Sequence, residues 1–293
     1  MIETISESTP TESQPALFAR PLTLTAKEFA AISTLAREEF GLELGRGKEQ
    51  LVAARLGKLM RRLGFTAFRD YYQHVQSDRT GEALVELIDV LTTNHTSFFR
   101  EQAHFDFLVQ RVFAERRGGG PIRIWSAASS TGEEPYSIAL TAREFLGPQG
   151  SILPHILATD ISTRVLETAR KGIYQAERFP HGPAPWLRKH LLRGEGRWQG
   201  WYRMCPEILG MVEFRRVNLI EPLPDVGRFD VIFCRNVLIY FSRTTQEQVV
   251  NRLTVCLEPG GYLFVGHSES LTGIQHGLQH IQPAIYRKRG GRR

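Results

Sequence analysis

The chain has 293 residues, 42% of them hydrophobic, which is enough for a full core and for two domains. A formal net charge of +6 makes an acidic protein surface or a nucleic acid a reasonable partner. The three cysteines lack the CxxC spacing of zinc and redox sites, and no apolar run approaches the roughly 20 residues that span a bilayer. We therefore expect a cytoplasmic protein with reduced thiols, no membrane insertion and no bound metal.

The chain divides into four predicted parts. Residues 1–20 are rich in Ser, Thr, Glu and Pro and predict a disordered leader. Residues 21–91 repeat apolar side chains at helical spacing, with glycines at the breaks, and predict a small all-α domain. A linker at 92–100 is followed by residues 101–293, where strand-like and helical segments alternate. This alternation predicts an α/β domain with a doubly wound, mostly parallel sheet.

Five apolar runs are the predicted strands of this sheet: 122–126, 152–159, 212–217, 229–234 and 262–265. Helices are expected to begin near Pro135, Ser162 and Arg243, and Gly260-Gly261 predicts a tight turn directly before the last strand. The segment at about 186–210 breaks the alternation. Its strand-like residues 198–204 predict a small antiparallel β insertion.

The stretch from Trp125 to Leu140 predicts a nucleoside pocket. A buried strand leads into a loop of small residues and then into a helix that starts at Glu133 and Glu134. Small residues let the backbone approach a ligand, but only Gly132 is present where a dinucleotide fold has three glycines. The two acids would also repel a phosphate. The pocket is therefore predicted to prefer a positively charged nucleoside, and S-adenosylmethionine is such a ligand.

Asp160 follows the second predicted strand, 28 residues after Gly132. An acid near this spacing accepts hydrogen bonds from ribose hydroxyls in nucleoside-binding folds. The alternative is that Asp160 caps the helix that begins near Ser162. The sequence leaves these two interpretations open.

Two further polar clusters stand at positions where ligands bind. The linker Thr92-Thr93-Asn94-His95-Thr96-Ser97-Phe98-Phe99-Arg100-Glu101 contains an arginine that could grip a carboxylate, although a helix cap anchored by Phe98 and Phe99 would explain part of it. The strand 229–234 ends in Arg235 and Asn236, at the edge where open α/β sheets bind ligands. Asn236 could instead cap a turn, and Tyr240 could be a core aromatic.

A basic helix is predicted from Lys48 to Leu63. Its apolar face contains Val52, Leu56, Leu59 and Leu63, and its neighbouring face contains Lys48, Arg55, Lys58, Arg61 and Arg62 with only Glu49 as a counter-charge. Such a stripe is usually a solvated surface. An acidic helix or a nucleic acid is the competing interpretation.

Taken together and in this order, these features resemble the CheR family of chemotaxis receptor methyltransferases, which transfer methyl groups from S-adenosylmethionine to receptor glutamates. The similarity runs from about residue 22 to residue 287. It is carried by six stretches: Thr92–Arg100, Trp125–Pro135, Ala158–Ser162, Val217–Leu219, Cys234–Phe241 and Leu257–Tyr262.

The resemblance implies roles for the matching residues. Asn94, Thr96 and Arg100 resemble the linker residues that contact the cofactor and the reaction centre. Glu134 resembles the acid that faces the methionine ammonium, and Asp160 resembles the ligand of the ribose. Asn218 and Leu219 resemble the residues that contact the adenine. Arg235 and Asn236 resemble the residues that form the rest of the wall around the cofactor. Arg100 and Tyr240 resemble the catalytic pair beside the transferred methyl. The basic residues Lys48, Arg55, Lys58, Arg61 and Arg62 resemble those that bind acidic receptor helices, and the β insertion resembles one that, in some members, binds a receptor C-terminal peptide.

The implied activity is methyl-ester formation on chemoreceptor glutamates, which serves adaptation in chemotaxis signalling, by a monomeric Rossmann-like enzyme. Because a glutamate is already ionised at neutral pH, no general base is needed, and His95, His104 and His267 are interpreted as structural. Glu133 is interpreted as a helix N-terminal charge. One alternative is a nucleic-acid methyltransferase, although no Pro-Pro follows Asn236 to hold a flipped base. The other alternative is a non-catalytic module that binds S-adenosylmethionine or a receptor.

Overall fold

The computed structural model describes residues 23–45, 47–92, 96–115, 120–147, 153–179 and 182–290. The predicted leader at 1–20 lies outside these residues, and so do Asn94 and His95 of the linker. The predicted parallel sheet is present, with a helical domain before it and a small second sheet inserted in it.

The described residues form two sheets, of seven and three strands. The strands are β1 (Arg123–Ser126), β2 (His155–Asp160), β3 (Ile173–Gln175), β4 (Leu191–Arg193), β5 (Trp201–Met204), β6 (Val212–Arg216), β7 (Phe229–Cys234), β8 (Leu257–Val265), β9 (Leu278–Gln282) and β10 (Ile285–Lys288). The larger sheet has the order β6-β2-β1-β7-β8-β10-β9, and the smaller one has the order β3-β5-β4.

The helices flank the sheet or build the N-terminal domain. They are α1 (Ala26–Phe40), α2 (Glu49–Arg62), α3 (Phe68–Ser77), α4 (Glu82–Leu91), α5 (Ala103–Phe107), α6 (Glu133–Leu146), α7 (Thr163–Lys171), α8 (Pro206–Leu209) and α9 (Arg243–Cys256), and α5 continues as a π-helix over Leu108–Phe113. Among the described residues, we find no helix with the length and apolar character needed to cross a membrane.

The predicted strands of the large sheet are confirmed, with one correction at the last of them. β6, β2, β1, β7 and β8 are parallel, whereas β10 and β9 add an antiparallel hairpin that the sequence analysis missed. β8 begins at Leu257, not at Tyr262, so the predicted tight turn at Gly260-Gly261 lies inside the strand. There the pairing with β7 shifts, because Gly260 has a φ of +83° and Gly261 passes close to the backbone of β7.

Alternate residues of the central strands point to two separate apolar layers. On one side Ile124 and Phe233 pack with α6, and on the other side Trp125 and Ile232 pack with α9. All four side chains are fully buried. The parallel strands are thus covered on both faces, which explains their unbroken apolar sequences.

The helical domain has its own apolar core, and the face of α2 that enters it differs from the prediction at one end. Val52, Leu56 and Leu59 are buried as expected, but Leu63 is 37% exposed. The helix ends at Arg62, so Leu63 no longer follows its periodicity, and Met60 is buried in its place.

The small antiparallel sheet begins upstream of the predicted 186–210 segment. Its edge strand β3 directly follows α7, and β5 lies between β3 and β4. Residues 196–198, just before β5, form a 3-10 turn, so the strand of the predicted 198–204 run is only Trp201–Met204.

Hydrogen bonds hold the helical domain against the loops at the carboxyl ends of the parallel strands. The Glu43 N–H donates to the Tyr240 carbonyl at 2.8 Å, and Leu42 forms an isolated bridge with Phe241. The Asn218 amide donates to the Glu39 carbonyl at 3.1 Å. These contacts close a cleft between the two domains.

The loop after β1 provides a test of this architecture at Gly132, which has a φ of +96°. A Cβ there would lie 2.7 Å from the Tyr174 hydroxyl and 2.8 Å from the Ala169 Cβ. We expect Gly132→Ala to lower the free energy of unfolding by about 3 kcal/mol, because a left-handed backbone and overpacking both contribute. Gly273→Ala is the control, since its φ is +82° but a Cβ would meet nothing within 4 Å. It should lose only about 1 kcal/mol in urea unfolding. Equal losses would contradict the packing argument.

Candidate active site

A cavity of about 230 Å³ lies between the two domains, at the carboxyl ends of the central strands. The chain leaves β1 toward β2 and β6 on one side and later returns to β7 and β8 on the other. This reversal of strand order opens a crevice, which is where open α/β sheets bind ligands. The predicted cofactor-binding and catalytic residues that the structure describes all line it: Thr96, Arg100, Glu134, Asp160, Asn218, Leu219, Arg235, Asn236 and Tyr240.

The loop after β1 brings backbone, not large side chains, to the cavity. Ala127, Ala128 and Ser130 line it, and Ser130 has a φ of +47°. This conformation directs the Ser130 N–H to the Asp160 carboxylate at 2.8 Å. The small-residue loop and the acid after β2 are therefore one unit.

Asp160 is held at the carboxyl end of β2 by backbone donors. Its second oxygen accepts from the Ser162 N–H at 3.0 Å, while the helix cap itself is made by the Ser162 hydroxyl, which accepts from Val165. The N-cap of α7 is thus Ser162. Burial raises the pKa of Asp160 to about 6 against the lowering effect of its backbone donors, and the nearby Asp89 carboxylate raises it further.

Glu134 lies in the first turn of α6 and reaches under the end of β1. It accepts a hydrogen bond from the Ser126 hydroxyl at 2.7 Å and pairs with Arg235 at 3.0 Å. Burial raises the pKa of Glu134, and the Arg235 guanidinium opposes this rise. The result is a carboxylate at a helix N-terminus that faces the cavity.

Arg235 is buried between two carboxylates at the end of β7. One terminal nitrogen contacts Glu134, and the other contacts Glu101 at 3.1 Å and donates to the Arg100 carbonyl. Only 2% of its side chain is exposed. Arg235 therefore ties the linker to the first turn of α6.

Asn236 is fixed in a left-handed conformation with a φ of +57°. Its N–H donates to the buried Glu269 carboxylate at 2.8 Å, and its side-chain amide donates to Glu101 at 3.3 Å. Burial raises the pKa of Glu269, against the lowering effect of its backbone donors. Asn236 thus both lines the cavity and orders the turn after β7.

The end of the linker is anchored by aromatic packing and by Arg178. Phe98 is fully buried and stacks on Phe179, with ring centroids 4.1 Å apart. The Phe99 N–H donates to the Ser137 hydroxyl at 2.9 Å. Arg178 pairs with buried Glu133 at 2.9 Å, so Glu133 contributes to this anchor at the start of α6.

Two predicted site residues also join the domains. The Asn218 amide donates to Glu39 and to Glu221, while Leu219 is buried and presents an apolar wall. Tyr240 lies in a 3-10 turn over Leu238–Tyr240, and its ring lines the cavity while its carbonyl binds the helical domain.

The helical domain supplies a wall of the cavity that the sequence analysis missed. Its lining residues include Phe40, Leu42, Ile88 and Asp89, and Phe241 adds to the lining from the α/β domain. Asp89 is the polar member, and burial raises its pKa. The sequence did contain a signal for this wall, namely the acid Asp89 within the apolar run Leu87–Leu91. An acid at such a position is seldom buried in an apolar core without a partner.

Glu101, His104 and His267 place three potential metal-ligating atoms within 4.8 Å of one another. Glu101 already accepts from the Arg235 guanidinium and from the His267 N–H at 3.2 Å. Its carboxylate oxygens are therefore already occupied by protein donors, and we assign no metal role to this cluster. Burial lowers the pKa of His104 to about 3, so this imidazole is neutral.

The basic residues of α2 are not equivalent. Lys48, Lys58 and Arg61 are exposed, and Arg62 pairs at the surface with Glu86 at 3.0 Å. Arg55 is half-buried and donates to the last carbonyls of α4, at Val90, Leu91 and Thr92. Arg55 therefore supports the start of the linker.

The cavity as a whole suits a positively charged nucleoside. Asp160 can accept hydrogen bonds from vicinal hydroxyls, Glu134 can pair with an ammonium, and Ile88 and Leu219 provide apolar surface for a base. Arg100 is a cation on the same lining. These residues fit S-adenosylmethionine, as the sequence predicted.

Comparison with known proteins covers both domains. The family model described as "CheR methyltransferase, SAM binding domain" matches residues 94–286, and the one described as "CheR methyltransferase, all-alpha domain" matches residues 27–92. The boundary between the two matches falls in the linker that lines the cavity.

Proteins named chemotaxis protein methyltransferase are similar over nearly their whole length. One from Pseudomonas aeruginosa is 39% identical over 263 residues, which cover 89% of this chain and 93% of that protein. One from Escherichia coli is 40% identical over 87% of this chain and 88% of its own length. One from Salmonella typhimurium is 41% identical over 86% and 87%, respectively. This chain belongs to the CheR methyltransferase family.

Proposed function

We propose that the protein methylates glutamate side chains of chemoreceptors, with S-adenosylmethionine as methyl donor, and so serves adaptation in chemotaxis. The observation that carries the proposal is the arrangement of Arg100 and Tyr240 beside Glu134 and Asp160 in one cavity. The names of the similar proteins support the chemotaxis role.

The carboxylates of the cavity hold and orient the methyl donor. Asp160 accepts from the ribose hydroxyls, and Glu134 pairs with the ammonium of the methionine part. Thr96 and the predicted Asn94 contribute from the linker, and Asn218 and Leu219 contact the base. When bound, S-adenosylmethionine supplies a methyl group on a sulfonium, which is a strong electrophile.

The substrate glutamate needs no general base, because it is ionised at neutral pH. The Arg100 guanidinium orients the incoming carboxylate through its planar donors, and the Tyr240 ring closes the other side. Positioning of the attacking oxygen and exclusion of water then provide the rate enhancement. The position of the cavity in the cleft between the two domains serves that exclusion.

The partner surface in this proposal is the exposed basic part of α2, with Lys48, Lys58 and Arg61 facing acidic receptor helices. Arg62 supports this surface through its ion pair with Glu86, and Arg55 supports it through its hydrogen bond to the Leu91 carbonyl. We further propose that the small sheet offers an edge strand to a receptor peptide, and that the enzyme acts as a cytoplasmic monomer. The free thiols of its cysteines are consistent with that compartment.

The reaction is tested by incubating the protein with tritiated S-adenosylmethionine and receptor-containing membranes or RNA. We expect base-labile label on the receptor, because carboxyl esters hydrolyse in base whereas methylated nucleic-acid bases do not. Arg100→Ala should lose transfer by roughly a hundredfold with an unchanged unfolding midpoint, because the carboxylate is no longer oriented. Arg100→Lys should recover only part of the rate.

Arg79→Ala is the matched control, since Arg79 is an exposed arginine of the helical domain. It should transfer at the wild-type rate. Base-stable label on RNA would instead support the nucleic-acid methyltransferase. A near-normal rate of Arg100→Ala would remove Arg100 from the mechanism.

Cofactor affinity should depend on pH through Asp160. Its pKa of about 6 in the free protein falls when hydroxyl donors bind the ionised form, so affinity should drop as pH falls through 6. The loss for one group is at most about tenfold per pH unit. Calorimetric titration with S-adenosylhomocysteine between pH 8 and pH 5 measures it. Asp160→Asn should bind weakly with a flatter profile, and an unchanged wild-type affinity at pH 5 would contradict the assignment.

The receptor surface should respond to charge reversal. We expect Lys58→Glu with Arg61→Glu to raise the KM for receptor about tenfold, because two attractive contacts become repulsive. The dissociation constant for S-adenosylhomocysteine should stay unchanged. Lys27→Glu with Arg79→Glu makes the same net charge change at two other exposed positions of the helical domain and should leave the KM as it is. An equal effect of both variants would point to net charge and not to the α2 surface.

A further inference from the structure

We propose that Glu101 is a positioning residue that leaves a net negative charge on the wall of the cofactor site formed by Glu134. The inference rests on the proposed function and deepens it. Glu101 follows the catalytic candidate Arg100, does not line the cavity, and has no role in the resemblance on which the site residues were assigned.

Glu101 shares one cation with Glu134. The two carboxylates contact different terminal nitrogens of Arg235, at 3.1 Å and 3.0 Å. The side chains of Glu101 and Glu134 are each 12% exposed and that of Arg235 is 2% exposed, so water screens the three charges weakly. The group therefore carries one net negative charge at the wall where Glu134 faces the cavity.

That charge matches the ligand. If Glu101 were absent, Arg235 would neutralise Glu134 alone, and little negative potential would remain for the ammonium of the methionine part. With Glu101 present, the guanidinium is divided between two acids. The pKa of Glu101 lies below its usual value, because Arg235 and the hydrogen bonds from the His267 N–H and Asn236 outweigh the effect of burial, so Glu101 stays ionised.

The neighbouring groups fix Glu101 in this role. Its backbone has a φ of +61°, a costly conformation for a glutamate, which persists because its carboxylate is bonded on several sides. His104 beside it is neutral, and His267 is half-exposed. Arg100, the preceding residue, places a further cation on the cavity lining.

Two probes separate the electrostatic role from a structural one. S-adenosylhomocysteine carries the ammonium, whereas methylthioadenosine keeps the nucleoside and lacks the amino-acid part. We expect Glu101→Gln to weaken S-adenosylhomocysteine binding roughly tenfold or more, because a buried charge near the ammonium is lost. Methylthioadenosine binding should change by less than about twofold.

The conservative variant Glu101→Asp retains the charge and should bind S-adenosylhomocysteine more tightly than Glu101→Gln. Glu207→Gln, at an exposed acid far along the chain, is the control and should bind both probes as the wild type does. Because Glu134 acts through the same cation, Glu101→Gln and Glu134→Gln should be non-additive in a double-mutant cycle.

Three outcomes would overturn the inference. Equal weakening of both probes would make Glu101 a structural support of the linker, and unchanged binding of both would remove it from the site. If the wild-type protein bound neither probe, the proposed function itself would fail. A failure of the Glu101 inference alone would leave the wild-type binding intact and would appear only in the variants. Thermal unfolding midpoints of all variants show that each one is folded in the titration.

Discussion

The buried guanidinium of Arg235 is the interaction on which the site depends. A cation with 2% of its side chain exposed is tolerable only if its desolvation is offset, and Glu101, Glu134 and the Arg100 carbonyl offset it together. These partners come from the last residue of the linker, from the residue after it and from the first turn of α6. One side chain at the end of β7 thereby fixes the linker, the helix start and the sheet edge relative to one another.

The same arrangement explains why the cavity lies between domains and not within one. The α/β domain provides its polar floor through Glu134, which is bonded by Ser126 of β1, and Asp160, which is bonded by the Ser130 N–H of the loop after β1. The helical domain adds the apolar side chains of Phe40, Leu42 and Ile88, together with Asp89. Neither domain alone would enclose a nucleoside, because each supplies only part of the lining.

Sequence reasoning succeeded for features that periodicity and strand-end position determine. β7 was predicted to the residue, and Asp160 and Arg235 were identified because they lie at the ends of parallel strands. It failed where a tertiary contact decides the outcome. The bulge at Gly260-Gly261 depends on the backbone of β7, and the role of Glu101 depends on a residue more than 100 positions away. Leu63 shows the same limit, since the end of α2 and not the apolar pattern sets its exposure.

The structure also connects the basic surface of α2 to the active site through Arg55. This side chain belongs to the basic stripe by sequence, yet its guanidinium holds the last carbonyls of α4, where the linker begins. At the other end, Arg235 holds the carbonyl of Arg100. The linker is thus bounded by two arginine–carbonyl contacts, one on the face proposed to meet the receptor and one under the cofactor site. A partner that binds α2 contacts a helix that is bonded directly to the segment presenting Arg100.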